Sequence, residues 1–239
     1  MEIRKNIDDA FRGLVLDEAS HTYTLGDKKL KGSVSGLIKS FYLPFPEEEA
    51  VKRTMAKTGR SKEDILKEWK EINEESTDRG SRVHLFGERY PLNKTLVPSC
   101  PQERAVKKFW DELPKHIILV GLEIKMYHKS YMFPGTMDLL LYDTINNHYI
   151  IADYKTNKDL HKNFQGQRML PPFNHLLDCP LNHYQVQLSF YQILLEQLGI
   201  IVKERKVIYL TLEGEYVMWD TKDYTPQLKN FLKIKYEDC

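Results

Sequence analysis

The sequence predicts an α/β protein in which a mixed central sheet is flanked by helices and preceded by an N-terminal helical section. Two hydrophobic patterns carry this prediction. Apolar residues recur at helical spacing within the charged segment 47–90, whereas from 122 to 155 they alternate or run together, as in strands. A helical segment and a further hairpin follow, so strands and helices are mixed along the chain.

Length and composition fit one enlarged domain. The chain has 239 residues, and single hydrophobic cores usually stop growing at about 250 to 300 residues. Hydrophobic residues make up 41% and charged residues 29%, which excludes a chain that is disordered throughout. We therefore treat 1–239 as a single domain with three parts: an N-terminal hairpin and helical section (1–79), a core (80–199), and a C-terminal hairpin and helix (200–239).

Charge and cysteine content narrow the function classes. With 35 basic and 34 acidic residues the formal net charge is +1, so any contact with nucleic acid depends on local chemistry. Cys100, Cys179 and Cys239 are far apart and odd in number, which predicts reduced thiols rather than disulfides or a CxxC metal site. No apolar run approaches the roughly 20 residues of a membrane span, and the start lacks a signal peptide, so we expect a soluble cytoplasmic protein.

The first elements are a hairpin and a short helix. Weak alternation over Leu14–Leu30 predicts a hairpin that turns at Gly26–Asp27. Ser33 or Ser35 can then cap a helix that runs through Phe41, before two prolines end it.

Longer helices follow. The charged segment 47–90 is predicted to be helical, with breaks at 58–61 and 77–80, where glycine interrupts the pattern. A separate helix is predicted over Gln102–Trp110, because its apolar residues lie on one side.

The middle of the chain predicts three consecutive strands. Apolar residues alternate over 122–127, and after a turn the segment 135–142 continues as a second strand. Asn146–Asn147 makes the next turn, and the mostly apolar run 149–155 is typical of a central strand.

The C-terminal third predicts a helix, a hairpin and a last helix. After an irregular stretch over 156–181, Asn182 can cap a helix that runs through Leu198 and ends at Gly199. A hairpin turning at Glu213–Gly214 follows, and Pro226 opens the final helix.

Three side chains on the predicted meander indicate metal chemistry. Residues two apart in a strand share a face, so Asp153 and Lys155 project together, and the hairpin can bring Asp138 within about 5 to 8 Å of Asp153. Two carboxylates repel each other unless a cation lies between them, and oxygen ligands suit Mg²⁺ or Mn²⁺. Such a cation supports phosphodiester hydrolysis, with Lys155 orienting or deprotonating the water.

The same acid-x-lysine spacing also occurs elsewhere, where a solvated ion pair is the simpler reading. These other positions begin at Asp27, Glu68, Glu123, Glu204 and Asp220. An apolar strand before Asp153 and the neighbouring Asp138 distinguish the proposed site from an ion pair at a strand end. Glu123 could also line the site, although an exposed strand glutamate explains it equally well.

Gly135-Thr136-Met137-Asp138, a hairpin, and then Asp153-Tyr154-Lys155 resemble the PD-(D/E)XK nuclease superfamily, with its restriction-endonuclease-like fold. Two flanking motifs narrow the resemblance. Gly80-x-x-x-His84 and Gln187-x-x-x-Tyr191 are similar to motifs of RecB-type and lambda-type exonucleases, particularly those of phages and other viruses.

The resemblance implies roles for these residues. His84, Asp138 and Asp153 would be metal ligands together with the carbonyl of Tyr154, and Lys155 would serve the attacking water. Gln187 and Tyr191 lie one helical turn apart and would reach the lysine, the water or a phosphate. Without the motif, His84 would be interpreted as a structural or surface residue. The helix that carries Gln187 and Tyr191 would be interpreted as an amphipathic helix facing the core.

Further expectations concern DNA and cofactors. Some RecB-type exonucleases carry an iron–sulfur cluster on four cysteines, and with three scattered cysteines none is expected here. Ser33 and Ser35 resemble the place where lambda-type enzymes anchor a terminal phosphate. The candidate basic contacts to DNA, otherwise ordinary solvated residues, are Arg82, Lys107, Lys108 and Lys158.

The sequence thus predicts a Mg²⁺- or Mn²⁺-dependent DNA exonuclease that acts from a free end in viral DNA processing, recombination or repair. Two alternatives stay open: a structure-specific endonuclease on the same fold, and a DNA-binding or assembly module with a vestigial nuclease site. DNA is the expected partner. A single-strand annealing or recombination protein is a candidate second partner. By analogy with the family that the sequence resembles, an oligomer is also possible.

Overall fold

The computed structural model describes residues 2–17 and 20–237. The helices are α1 (Glu2–Ala10), α2 (Val34–Lys39), α3 (Glu47–Thr58), α4 (Lys62–Arg89), α5 (Pro101–Glu112), α6 (Pro180–Glu196) and α7 (Thr225–Glu237). The strands are β1 (Leu14–Asp17), β2 (Thr22–Leu25), β3 (Lys28–Lys29), β4 (Ile117–Tyr127), β5 (Pro134–Asp143), β6 (His148–Lys155), β7 (Val202–Leu210) and β8 (Tyr216–Asp220). No described helix is long and apolar enough to cross a bilayer.

The central sheet is mixed, as predicted. Its strand order is β4–β5–β6–β7–β8, and β6 and β7 are parallel whereas all the other neighbours are antiparallel. Because parallel strands need a crossover connection, α6 lies between β6 and β7 in the chain. The predicted α/β fold is therefore confirmed.

Two apolar clusters hold the helices against the sheet. One joins α2, α6 and α7 to Met137, Leu140 and Ile151, and the other joins α4 and α5 to Leu139, Ala152 and Tyr154. Strands covered on both faces explain why β6 reads as a nearly continuous apolar run.

The N-terminal segment contains more structure than predicted. The hairpin around Gly26–Asp27 is confirmed as β2–β3, and β1 extends it to three strands. Helix α1 was not predicted, since Ile7 and Ile3 provide its few apolar contacts with the core. Strand β4 also begins at Ile117, earlier than the predicted Leu122.

Two predicted helix boundaries are wrong. Helix α4 continues through 77–80, because the buried contacts of Val83 and Phe86 outweigh the cost of about 1 kcal/mol for a mid-helix glycine. Helix α6 begins at Pro180 rather than at an Asn182 cap; the Asn182 amide instead donates to the Leu177 carbonyl. A proline in the first turn needs no N–H partner there, which favours the earlier start.

The remaining predicted elements are present. The break at 58–61 ends α3 at Gly59, whose φ of 71° is left-handed, and Ser61 caps α4 by accepting from the Asp64 N–H. Cys100 and Cys179 are free thiols, whereas Cys239 lies outside the described residues.

Candidate active site

The β5–β6 hairpin brings two carboxylates together. Its antiparallel register pairs Leu139 with Ala152, and one residue further along this register Asp138 lies across from Asp153. Asp153 is buried, with 2% exposure, near the end of the central strand β6. A charged pair in such a place requires compensation by cations.

Helix α4 adds an imidazole to the pair. His84 Nδ1 lies 3.0 Å from Asp138 Oδ2, and ligand atoms of His84, Asp138 and Asp153 all lie within 4.8 Å of one another. The helix can approach because residue 87 is glycine: a Cβ there would lie 2.6 Å from the ring of Tyr154. Close packing of α4 on β6 therefore delivers His84 to the carboxylates.

Lys155 adds a positive charge at the end of β6. Its Nζ lies 2.6 Å from Asp153 Oδ2 and 4.3 Å from the centre of the Tyr184 ring. Oδ2 is buried, and its partner among the described residues is this ammonium rather than a backbone or amide N–H. Asp138 Oδ2, by contrast, accepts from the Tyr154 backbone N–H at 3.2 Å.

The two carboxylates have opposite pKa shifts. Burial, followed by the charge of Asp138, raises the pKa of Asp153 to about 8. For Asp138 burial acts in the same direction, but the adjacent His84 outweighs it and lowers the pKa. The pKa of His84 rises to about 9, because the charge of Asp138 overcomes the effect of burial. Neighbouring titratable groups whose pKa values are shifted strongly and in opposite directions are typical of functional sites.

Two glutamates extend the acidic cluster. Burial, then the charges of Asp138 and Glu88, raise the pKa of Glu123 to about 8. Glu123 has a φ of 45°, in the left-handed region, so it departs from regular strand geometry. Glu88 was not among the predicted site residues. Its position one helical turn after His84, on the same side of α4, could have indicated it.

These residues fit a divalent cation. The donor set combines one imidazole with carboxylates, which suits Mg²⁺ or Mn²⁺, and the neutral imidazole suits Mn²⁺ better than Mg²⁺. Asp153 Oδ2 is a buried oxygen that contacts the Lys155 ammonium but, among the described residues, no backbone or amide N–H, so a second cation can share it. His84, Asp138 and Asp153 would hold the ion.

A second histidine–carboxylate cluster differs in the hydrogen bonds that its carboxylates accept. Asp143, His148 and Glu204 also have ligand atoms within 4.8 Å of one another. Asp143 accepts two backbone N–H groups and the Asn146 side chain, and Glu204 Oε2 lies 2.6 Å from Lys206 Nζ. Both of its carboxylates accept side-chain or backbone hydrogen bonds, whereas Asp153 Oδ2 has the Lys155 ion pair alone among the described residues.

Helix α6 brings its predicted pair to the same region. Gln187 Nε2 donates to the Tyr191 hydroxyl at 2.9 Å, and the charges of Asp153 and Asp138, after burial, raise the pKa of Tyr191 well above its usual value. The ring of Tyr191 packs against Gly135, where a Cβ would lie only 3.0 Å away. The helix therefore faces the carboxylates as well as the core.

The basic candidates on the helices lie in different surroundings. On α5, Lys107 is ion-paired with Asp111 and Lys108 with Glu215, which offsets the charge that each offers to DNA. Arg82 is exposed on α4, two residues before His84, and residues two apart on a helix face different directions.

The serine and loop candidates for DNA contact also lie in different surroundings. Ser33 caps α2 by accepting from the Gly36 N–H at 3.1 Å, while Ser35 is exposed on the first turn. Lys158 is exposed three residues after Lys155, in the loop that leaves the site. Contacts of all these groups with DNA stay predictions.

Comparison with known families identifies the superfamily of this chain. Residues 48–228 match the family model of the PD-(D/E)XK nuclease superfamily. The chain belongs to this superfamily. A search among curated proteins finds no match. The PD-(D/E)XK assignment implies a metal-dependent nuclease and agrees with a mixed sheet that presents Asp138, Asp153 and Lys155 on adjacent strands.

Proposed function

We propose that the protein is a Mg²⁺- or Mn²⁺-dependent deoxyribonuclease of RecB or lambda exonuclease type, which degrades DNA from a free end during viral DNA processing, recombination or repair. The observation that carries this proposal is the buried cluster of His84, Asp138 and Asp153 beside Lys155. Its residues fit a cation, and their order along the chain follows the motif of the superfamily.

Each side chain has a role in this proposal. His84, Asp138, Asp153 and the carbonyl of Tyr154 would hold the ion. A bound divalent ion supplies Lewis acidity toward the phosphate and lowers the pKa of a water molecule. Burial alone would lower the pKa of Lys155, but the charges of Asp153 and Asp138 raise it, so the side chain is a cation. This favours orienting the water and stabilising phosphate charge over accepting a proton.

The exonuclease assignment rests on the two flanking motifs. His84 on α4 and the Gln187–Tyr191 pair on α6 approach the carboxylates from separate helices, in the order that RecB-type and lambda-type exonucleases have. A zinc finger or a basic run that would read internal sequence does not occur in the chain. Recognition of a strand end then locates the cut.

Digestion of end-labelled linear DNA and covalently closed circular DNA tests this function. With Mg²⁺ or Mn²⁺ we expect linear DNA to shorten from its ends while closed circles persist, and chelator, Asp138→Ala or Asp153→Ala to abolish cleavage. Rapid linearisation of closed circles, lost in Asp153→Ala, would establish an endonuclease. Binding of DNA without any metal-dependent cleavage would indicate a vestigial site.

A further inference from the structure

A cavity of about 340 Å³ lies beside the candidate active site. It is formed by the segment between α2 and α3, the loop after β6 and the first turn of α6. Its principal lining residues are Tyr42, Phe45, Lys162, Phe164, Gln167 and His183. Its size falls at the lower end of ligand pockets, which hold roughly 300 to 1,000 Å³.

Tyr184 connects this cavity to the catalytic groups. It follows His183 directly on α6, and its ring faces the ammonium of Lys155 at 4.3 Å. The Tyr184 hydroxyl donates to Asn157 Oδ1 at 2.6 Å, which fixes the ring next to the loop that leaves β6. The charges of Asp153 and of the cavity residue Tyr42 both act on Tyr184, so this residue neighbours the cavity as well as the acidic cluster.

The inner wall of the cavity is a stacked pair of rings. Tyr42 and His183 lie with ring centres 4.2 Å apart and planes 14° from parallel. His183 Nε2 is 2.7 Å from Asp178 Oδ1, and burial outweighs this contact and lowers the pKa of the histidine. The wall is thus aromatic, and its burial favours the neutral form of the histidine ring.

The mouth of the cavity combines exposed aromatic surface with positive charge. Phe45 is 58% exposed, although it contacts Phe164 at 5.7 Å between ring centres and Trp69 at 6.1 Å. The guanidinium of Arg53 lies 5.7 Å from the centre of the Phe164 ring but is ion-paired with Glu49, so the exposed Lys162 provides the uncompensated positive charge. Flat aromatic walls with cations at the rim are what binding of single-stranded nucleic acid uses.

We infer that this cavity binds an unpaired nucleobase of the DNA strand whose phosphate lies at His84, Asp138 and Asp153. The inference rests on the proposed nuclease function and names its substrate class, because a base placed against Tyr42 and Phe45 cannot pair with a complementary strand. The preferred substrate is then a single strand or a duplex end with an overhang, rather than a fully paired end.

Fluorescence of 2-aminopurine tests this inference without any need for turnover. The full-length protein, in chelator, is titrated into a duplex that carries the analogue at the unpaired end of an overhang, a blunt duplex, and an overhang with an abasic terminal nucleotide. We expect quenching by stacking and tighter binding of the base-bearing overhang, by about tenfold over the other two DNAs, since each base–aromatic stack contributes about this much.

Variants assign the effect to the cavity. Tyr42→Ala and Phe45→Ala should each remove most of that preference and leave blunt-duplex binding unchanged, whereas Tyr42→Phe should keep it. Because Phe45 is exposed, Phe45→Ala should leave folding intact, so a loss of preference in this variant reports on the cavity rather than on misfolding. Tyr236→Ala, which removes a 38% exposed aromatic ring from α7, is the matched control and should leave both affinities unchanged.

Two outcomes separate the inference from the proposed function. If wild-type protein cleaves DNA with Mg²⁺ but binds blunt, abasic and base-bearing ends equally, without quenching, the cavity does not bind a base and only this inference fails. If quenching occurs and is lost in both alanine variants while no DNA is cleaved, the cavity binds a base and the nuclease proposal fails.

Discussion

At the residue scale, the two carboxylates of the site differ in how protein groups compensate their charge. Asp138 is compensated by His84 and the Tyr154 N–H, whereas Asp153 Oδ2 has the Lys155 ion pair alone among the described residues. Residues of this kind cost stability and are retained at functional sites. The cost is measurable without any catalytic assay.

Replacing Asp153 by asparagine should stabilise the metal-free protein, and more so at high pH. The folded pKa of Asp153 is about 8, far above its usual 3.8, so the folded protein holds a proton that the unfolded chain releases. Stability therefore falls as pH rises between these two values, and Asp153→Asn removes that loss. Thermal unfolding in chelator at pH 5 and pH 8 checks this. A variant with a lower midpoint than wild type at pH 8 would contradict it.

Lys155→Ala should separate catalysis from binding. Because Lys155 balances charge beside Asp153 without belonging to the metal-ligand set, we expect metal and DNA affinity to persist while turnover falls by roughly 10² to 10⁴. Calorimetric metal titration and single-turnover cleavage check the two parts. Lys206→Ala, which removes an ammonium that pairs with Glu204 on β7, is the matched control. Normal cleavage by Lys155→Ala would make the lysine a simple ion-pair partner.

The residues that could be predicted from sequence are those whose neighbours are local. Asp138 and Asp153 lie on one hairpin, so strand periodicity and one turn were enough to place them together. The Tyr42–His183 wall depends on how α6 and the loops pack, which no local pattern encodes, whereas Glu88 follows from helical spacing once His84 has been placed. His84 was reached only through a family resemblance.

At the element scale, the packing of α4 against β6 controls the position of His84. The prediction of a break at 77–80 treated Gly80 as a helix breaker, but the tertiary contacts of the helix outweigh glycine's low propensity. The glycine that packing requires is Gly87, not the motif residue Gly80. A Cβ at 87 would lie 2.6 Å from Tyr154, whereas a Cβ at 80 would meet only Thr156 Oγ1, at 3.6 Å.

The two glycines should therefore respond oppositely to alanine. Gly87→Ala should lower the free energy of unfolding by roughly 1 to 3 kcal/mol and weaken metal binding, because overpacking moves α4 and His84 away from the sheet. Gly80→Ala should raise it by about 0.5 to 1 kcal/mol, the gain from better helix propensity. Urea denaturation and metal titration measure both. Equal stability of the two variants would show that α4 is not held by this contact.

At the scale of the whole molecule, a net charge of +1 leaves DNA binding to a few local cations. The structure distinguishes these cations by their partners. Lys107 is already ion-paired with Asp111 on the outer side of α5, whereas Lys158 is exposed in the loop that leaves the site beside Lys155. Position along the sequence could not separate the two lysines, because their ion pairs arise from the fold.

The salt dependence of DNA binding should therefore distinguish Lys158 from Lys107. For duplex DNA the logarithm of the affinity falls with the logarithm of salt concentration by about 0.9 for each phosphate neutralised. Lys158→Ala should thus reduce this slope by about one, since it removes an exposed cation three residues after Lys155. Lys107→Ala should change the slope little, because the ammonium already neutralises Asp111. Fluorescence anisotropy over a salt series, in chelator, measures the slopes. A larger change in Lys107→Ala than in Lys158→Ala would place the DNA along α5 rather than along the loop after β6.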